Sequence, residues 1–269
     1  YGTGQQANQL NPSFLSLGAQ LDQQVPNPFA GVITTGVLSG ATVPRQRLPR
    51  PFPQFTDVRN LLQSTGWNHY ESMQVRVQRR YSNGFSMLVA YTLSKNFIHG
   101  PGFTGWGDDA SAARPLDTNN RRIEKRLAQF DTPHNLVLSW NYELPVGKGK
   151  RLLGSMPGAL DMVIGGWQLN GISRFATGNP ATITSNANPG TLGGGVRADY
   201  TGGNIKVDSP TRFNYFNIYA FARPQEGSLG NLGKNTLRLP GINQWDVSLF
   251  KNTKITERVS LQLRFESFN

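Results

Sequence analysis

Few side chains in this sequence have types and spacing suited to chemistry. His69, His99 and His134 are the only histidines, and there is no cysteine. Without Cys there is no disulfide framework, thiolate metal site or Cys nucleophile. His134 follows Asp131 closely, but a metal site needs roughly three or four ligands, so the pair reads as the fixing of a loop–strand junction. No Ser/His/Asp arrangement carries a supporting local motif. Gly147-Lys148-Gly149-Lys150 superficially resembles a phosphate loop. Its spacing departs from the P-loop pattern and no helix opening with Ser or Thr follows, so a turn is the better reading. Asp108 and Asp109 beside Trp106, in a Gly-rich stretch, suit Ca²⁺ or a sugar. Calcium takes roughly six to eight oxygens, so a solvated acidic pair is the competing reading. Arg76, Arg80, Arg174 and Arg264 are placed to steer an acidic ligand or, equally, to pair within a polar lining. No cofactor is implied.

The balance of 27 Lys+Arg against 16 Asp+Glu gives a net charge of +11, which suits nucleic acid, anionic lipid or acidic substrates. The cations gather only modestly: at Arg45, Arg47 and Arg50, at Arg121 to Arg126, and at Lys148 to Arg151. Aromatic residues are not interleaved with them as a stacking platform requires, so nucleic acid is not an expected partner. With 37% hydrophobic residues, 30 Gly and 17 Pro, an all-helical bundle is excluded. No apolar run reaches the roughly 18 residues of a transmembrane helix. Aromatic content of 10% is too high for a disordered chain.

The elements that must position these groups are strands. From Phe85 to Ser94, the residues Phe85, Met87, Val89, Tyr91 and Leu93 alternate with Ser86, Leu88, Ala90, Thr92 and Ser94, which is strand periodicity. Met73, Val75 and Val77 oppose Gln74, Arg76, Gln78 and Arg80 in the same way, and Ser82-Asn83-Gly84 between them predicts a hairpin turn. Leu136, Leu138, Trp140, Tyr142 and Leu144 form another alternating set. Trp167, Leu169 and Phe175 form a weaker one, with Gly171 and Ser173 on the apolar face. Trp245, Val247 and Leu249, then Val259, Leu261, Leu263 and Phe265, complete the series. Ile123, Leu127 and Phe130 have helical spacing and predict a short helix over 121–130.

Short or moderate links alternate with long ones. The organisation expected is a loop over 1–66, a hairpin over 67–95, a loop over 96–133, a hairpin over 134–177, a loop over 178–244 and a truncated hairpin over 245–269. Loops this long are uncommon in compact domains but expected on the outer side of an outer-membrane barrel. A soluble sandwich would show the same alternation. Two features favour the barrel. Phe85, Tyr91, Trp140, Tyr142, Trp167 and Trp245 fall near strand ends, as interfacial aromatics do, and the apolar faces carry only Arg79 and Lys251, both at turn ends. The fold class expected is therefore all-β: a segment of an antiparallel up-and-down transmembrane β-barrel, about six strands of a larger one, with long extracellular loops. Residue 1 is Tyr, and the last strand-like run stops without a turn, so the sequence reads as part of a longer chain.

Several runs resemble loop and strand motifs of the Oar-like TonB-dependent receptors. They are Gln24-Val25-Pro26-Asn27-Pro28-Phe29, Arg50-Pro51-Phe52-Pro53-Gln54-Phe55, Tyr91-Thr92-Leu93-Ser94-Lys95 and Phe130-Asp131-Thr132-Pro133-His134. Tyr142 to Lys150, Gly165 to Gly171 and Trp245 to Asn252 continue the series in the family's order. The resemblance runs from about residue 9 to the end. It implies a large plugged barrel of the Gram-negative outer membrane, energised by the inner-membrane TonB complex through N-terminal sequence that is missing here. It also implies partners in outer-membrane lipid and lipopolysaccharide, and a ligand that could be a small molecule such as a siderophore, an oligosaccharide or a peptide. The expectation is a binding and transport protein rather than an enzyme. Trp106, Asp108 and Asp109 in a loop and Arg76, Arg174 and Arg264 facing the lumen are the candidate ligand contacts. The alternatives are a secreted or surface β-rich adhesin that binds carbohydrate without transport, and a soluble sandwich hydrolase. The hydrolase would need a pair among the strand carboxylates Glu143, Asp246 and Glu266.

Overall fold

Asn83 and Gly84 both adopt positive φ, 53° and 76°, the conformation of a two-residue hairpin turn whose twist matches the strands on either side. In the computed structural model, which describes residues 5–60, 66–99, 115–185, 196–225 and 227–269, this turn joins strands β1 (Trp67–Ser82) and β2 (Phe85–His99). Four more strands follow: β3 (His134–Glu143), β4 (Trp167–Ala176), β5 (Ile242–Lys254) and β6 (Ser260–Ser267). Their order in the sheet is β6-β5-β4-β3-β2-β1. Every neighbour is thus a sequence neighbour, giving an up-and-down meander. A two-residue strand, Arg126–Leu127, pairs with Phe97 and Ile98 at the end of β2.

The register carries the sequence alternation across the whole sheet. Phe85 lies opposite Tyr142, Met87 opposite Trp140 and Val89 opposite Leu138. Tyr142 lies opposite Leu169, and Trp140 opposite Gly171. Leu169 lies opposite Leu249, and Leu249 opposite Phe265. Opposed residues share a face, so one face is a continuous apolar and aromatic surface and the other collects Ser, Thr, Asn, Gln and Arg. A slip of one residue in any strand would exchange the two faces.

By internal contacts the chain forms two compact units. The second comprises Tyr70–Lys95, Asp131–Asn179 and Leu239–Asn269 and holds most of the sheet. Between β3 and β4 it includes a short helix α1 (Gly158–Ile164). The first comprises Tyr1–His69, Asn96–Phe130 and Pro180–Arg238. It is irregular, with two-residue bridges and 3-10 turns, and its apolar centre is Leu10, Leu15 and Leu21 with Leu17 and Leu229 packed on them. Pro12–Asp22 enters that core as a 3-10 segment capped by the Asn11 side chain, which accepts from Ser13 N–H. Among the described residues no helix is long and apolar enough to cross a membrane.

The helix expected over 121–130 does not form. Arg121–Glu124 is a single 3-10 turn, followed by the bridge Arg126–Leu127. The residues buried are Glu124, Arg126 and Ala128, while Phe130 is 65% exposed. Burial runs at a period of two, and Glu124 turns inward as the acceptor of Arg197 and Lys234.

Candidate functional site

Ten-residue strands such as β3 and β4 match the roughly 9–11 residues of a tilted membrane-crossing strand. Apolar side chains are bare on the two end strands, where Met73, Val75, Val77, Leu261, Leu263 and Phe265 are exposed, and half-buried between them. A soluble sheet would cover such a surface. Its aromatic residues gather toward both ends. At the end with the Asn83-Gly84 turn, the Phe85 and Tyr142 rings meet edge to face at 6.1 Å. At the opposite end Phe175 and Trp245 meet at 5.4 Å, and Tyr91 OH is hydrogen-bonded to His134 Nδ1 at 2.7 Å. His134 thus fixes the start of β3 through Tyr91.

Both cations expected on the apolar face lie against aromatic rings at the turn end. The Arg79 guanidinium sits 5.2 Å above the Phe85 ring centre. Lys251 is 5% exposed; its Nζ donates to the Gly165 carbonyl and lies 5.7 Å from the Trp167 ring centre. Cation–π contact, and for Lys251 a carbonyl acceptor, offset part of the penalty of a charge beside apolar surroundings.

The polar face is a lattice of short-range hydrogen bonds. Gln168 Nε2 donates to Asn170 Oδ1 at 2.7 Å, and Gln262 Nε2 to Asn252 Oδ1 at 2.7 Å. Arg174 Nε donates to Asn135 Oδ1 at 3.1 Å. Arg264 Nε donates to Gln262 Oε1 at 2.7 Å, and its guanidinium lies 4.9 Å from the Phe250 ring centre. Arg76 Nη2 reaches Gln78 Oε1 at 3.4 Å. The sheet does not gather these arginines. Arg264 lies opposite Phe250, Phe250 opposite Gln168, and Arg174 is six residues along β4 from Gln168. At about 3.4 Å per residue they stand about 20 Å apart along the strands. Arg174 and Arg264 thus line one face at different depths.

Among the strand carboxylates, Glu143 is bound by Lys150 at 3.1 Å. Asp246 accepts from Gln244 at 3.5 Å and from Asn269 N–H at 3.3 Å. Glu266 lies opposite Ser248, one diagonal step from Asp246. Among the described residues no group of three or more His, Asp and Glu side chains is placed to hold a metal. Trp106, Asp108 and Asp109 lie outside the described residues.

Sequence reasoning missed the polar framework of the first unit. Glu124 is buried and accepts from Arg197 Nη2 at 2.8 Å, Lys234 Nζ at 2.6 Å and Leu116 N–H at 2.9 Å. Burial alone would raise its pKa, but Lys234, the Leu116 amide and Arg197 outweigh burial and hold it below the usual carboxylate range. Burial also pulls Lys234 and Arg197 down, against the pull of Glu124. Amide side chains extend the framework. Gln9 donates to Leu116 O at 2.7 Å and accepts from Thr118 N–H at 2.7 Å; Asn235 Nδ2 donates to Leu127 O at 2.7 Å. These bonds join all three long connections. A cavity of about 350 Å³ in the same unit is lined by Ile183, Thr184, Ser185, Ala198, Phe221 and Arg223 among others, an apolar wall with hydroxyls and one guanidinium. The pairings are remote in sequence and leave no periodic signal; the cluster Arg121 to Arg126 was the only trace.

A sheet whose bare apolar face is banded by aromatics and whose reverse is polar is the wall of a transmembrane β-barrel, with lipid on the first face and the lumen on the second. The chain matches the family model described as outer membrane beta barrel domain over residues 2–269 and belongs to that family. It is an outer-membrane protein. No curated protein and no solved structure matches it.

Proposed function

We propose that this chain is the barrel segment of an Oar-like TonB-dependent receptor, which captures a ligand with its long connections and carries out no reaction on it. The observation that carries this reading is the stitching of the three long connections into one folded unit by Gln9, Glu124, Arg197, Lys234 and Asn235. A pore would need only a lined lumen, whereas capture at the surface needs connections held in a defined shape. The motif series from Gln24 to Asn252 supports the same family. The cavity beside Phe221 and Arg223 favours a ligand with an apolar part and an acidic group. In this reading the connections face outward, lipopolysaccharide surrounds them, and the TonB complex acts through N-terminal sequence of the parent protein.

The test is ligand uptake by cells carrying the full-length protein, with and without functional TonB. Siderophore, oligosaccharide and peptide pools from spent medium serve as probes. Uptake that needs both the protein and TonB supports the receptor. Binding to the cell surface that is indifferent to TonB and never followed by uptake would overturn it in favour of an adhesin.

A further inference from the structure

The connection between β3 and β4, residues 144–166, carries more structure than joining two adjacent strands requires. Lys148 N–H donates to Asp161 Oδ1 at 2.6 Å. Leu152 N–H donates to Pro145 O at 2.9 Å, and Gly165 N–H to Asp161 O at 2.9 Å. Two side chains of the apolar face then tie it to the sheet: Trp167 Nε1 donates to Val163 O at 3.1 Å, and Lys251 Nζ donates to Gly165 O. The end of α1 is thereby fastened to the side of the sheet that meets lipid.

Its outer surface is apolar. Leu152, Leu153, Leu160 and Met162 are exposed, and Val163 is 67% exposed. Lys148, Lys150 and Arg151 stand exposed in the same connection; Lys150 also pairs with Glu143 at 3.1 Å at the end of β3, and the connection's one carboxylate, Asp161, is taken up internally by the Lys148 amide. An apolar surface bordered by cations, immediately beyond the ends of two membrane-crossing strands, suits a bilayer interface. This end of the sheet also carries the Asn83-Gly84 turn, because Phe85 lies opposite Tyr142 and Glu143 opposite Gln168. Tight turns mark the periplasmic end of an outer-membrane barrel, where the leaflet is phospholipid.

We propose that residues 144–166 form an interfacial anchor, with Leu152, Leu153, Leu160, Met162 and Val163 entering the periplasmic leaflet while Lys148, Lys150 and Arg151 meet the phosphates of anionic phospholipid. The inference rests on the barrel placement alone and is independent of the receptor reading. It continues the lipid-facing surface of β3 and β4 past the strand ends, and it accounts for the exposure of Leu160, Met162 and Val163 on a helix that is tied to the sheet.

The sequence described has no cysteine, so Val163→Cys in the full-length protein accepts a single environment-sensitive fluorophore; any cysteine elsewhere in the parent is first replaced by Ser. The protein is reconstituted in vesicles of phosphatidylethanolamine and phosphatidylglycerol without lipopolysaccharide. The label is expected to emit as in an apolar medium, to resist iodide, and to be quenched by nitroxide lipids at a depth of about 5–10 Å. A label at Ser209→Cys, an exposed position of the first unit, should behave as in water. If the Val163 label matches the Ser209 label, the anchor is overturned. Replacing phosphatidylglycerol by phosphatidylcholine should move the Val163 label toward water. The triple change Lys148→Gln, Lys150→Gln, Arg151→Gln should abolish that difference. Equal depth in both lipids for the unmodified charges would overturn the role of anionic phospholipid, and burial only after lipopolysaccharide is added would overturn the choice of leaflet.

Discussion

The Trp140 indole lies directly over Gly171 on the neighbouring strand: a β-carbon added to Gly171 would fall 2.6 Å from Cε2 and Cζ2 of the ring. The two residues are register partners, so the ring occupies the space that a side chain on β4 would fill. Glycine here is the seat of a large aromatic on the lipid-facing surface.

Gly171→Val should therefore destabilise the folded protein by about 1–3 kcal/mol through overpacking, read as a lower urea midpoint in detergent with an unchanged slope. Adding Trp140→Leu to the same protein should recover most of the loss. Equal stability of Gly171→Val and the parent would contradict the packing described.

The same pair shows what the sequence could and could not reveal. Alternation in Phe85–Leu93 and the Asn83-Gly84 turn were readable because they depend on near neighbours. Gly171 and Ser173 looked like a weakness in β4 because their partners, Trp140 and Trp245, come from other strands. The segment 121–130 has helical spacing in Ile123, Leu127 and Phe130, but partners from residues 197 and 234 draw Glu124 inside instead. The six strands were thus legible. The framework of the first unit was not, since it is made of single long-range bonds from Asn, Gln and Arg side chains.

Glu124→Gln should be the most damaging single change in that framework, because it leaves Arg197 and Lys234 buried without their carboxylate. Breaking a buried pair in this way costs about 3–5 kcal/mol. The loss should appear as faster hydrogen exchange in residues 115–128 and 196–200, with the sheet amides unaffected.

The same carboxylate predicts an acid limb. Its folded pKa lies below the ordinary value of 4.5, so its contribution is complete above that value and is lost as pH falls below it through the folded pKa. Protease sensitivity of the first unit should rise over that window in the parent protein. In Glu124→Gln the rise should be absent, because the group that titrates is gone.

Arg50 gives a prediction of opposite sign. It is 5% exposed and, among the described residues, bonds to Gln46, through Nε to the backbone oxygen at 3.2 Å and through Nη2 to Oε1 at 3.1 Å. Burial, reinforced by Arg47, lowers its pKa to about 10. A buried cation that meets no carboxylate among the described residues is a cost to the fold, while its stem packs as an apolar chain. Arg50→Met should leave the melting temperature unchanged or raise it; a loss of more than about 2 kcal/mol, the scale of a truncated charged hydrogen bond, would show that Arg50 holds the loop through its charge.

Residue-by-residue accessibility along β2 in lipid vesicles tests the barrel wall most directly. Single nitroxide labels at positions 85 to 93 are scored for contact with oxygen, which concentrates in the bilayer, and with a water-soluble nickel complex. Labels at Met87, Val89 and Tyr91 should favour oxygen, those at Leu88, Ala90 and Thr92 the nickel complex, alternating at each step. Uniform nickel accessibility, or no alternation between odd and even positions, would contradict an outer-membrane barrel with its apolar face in lipid.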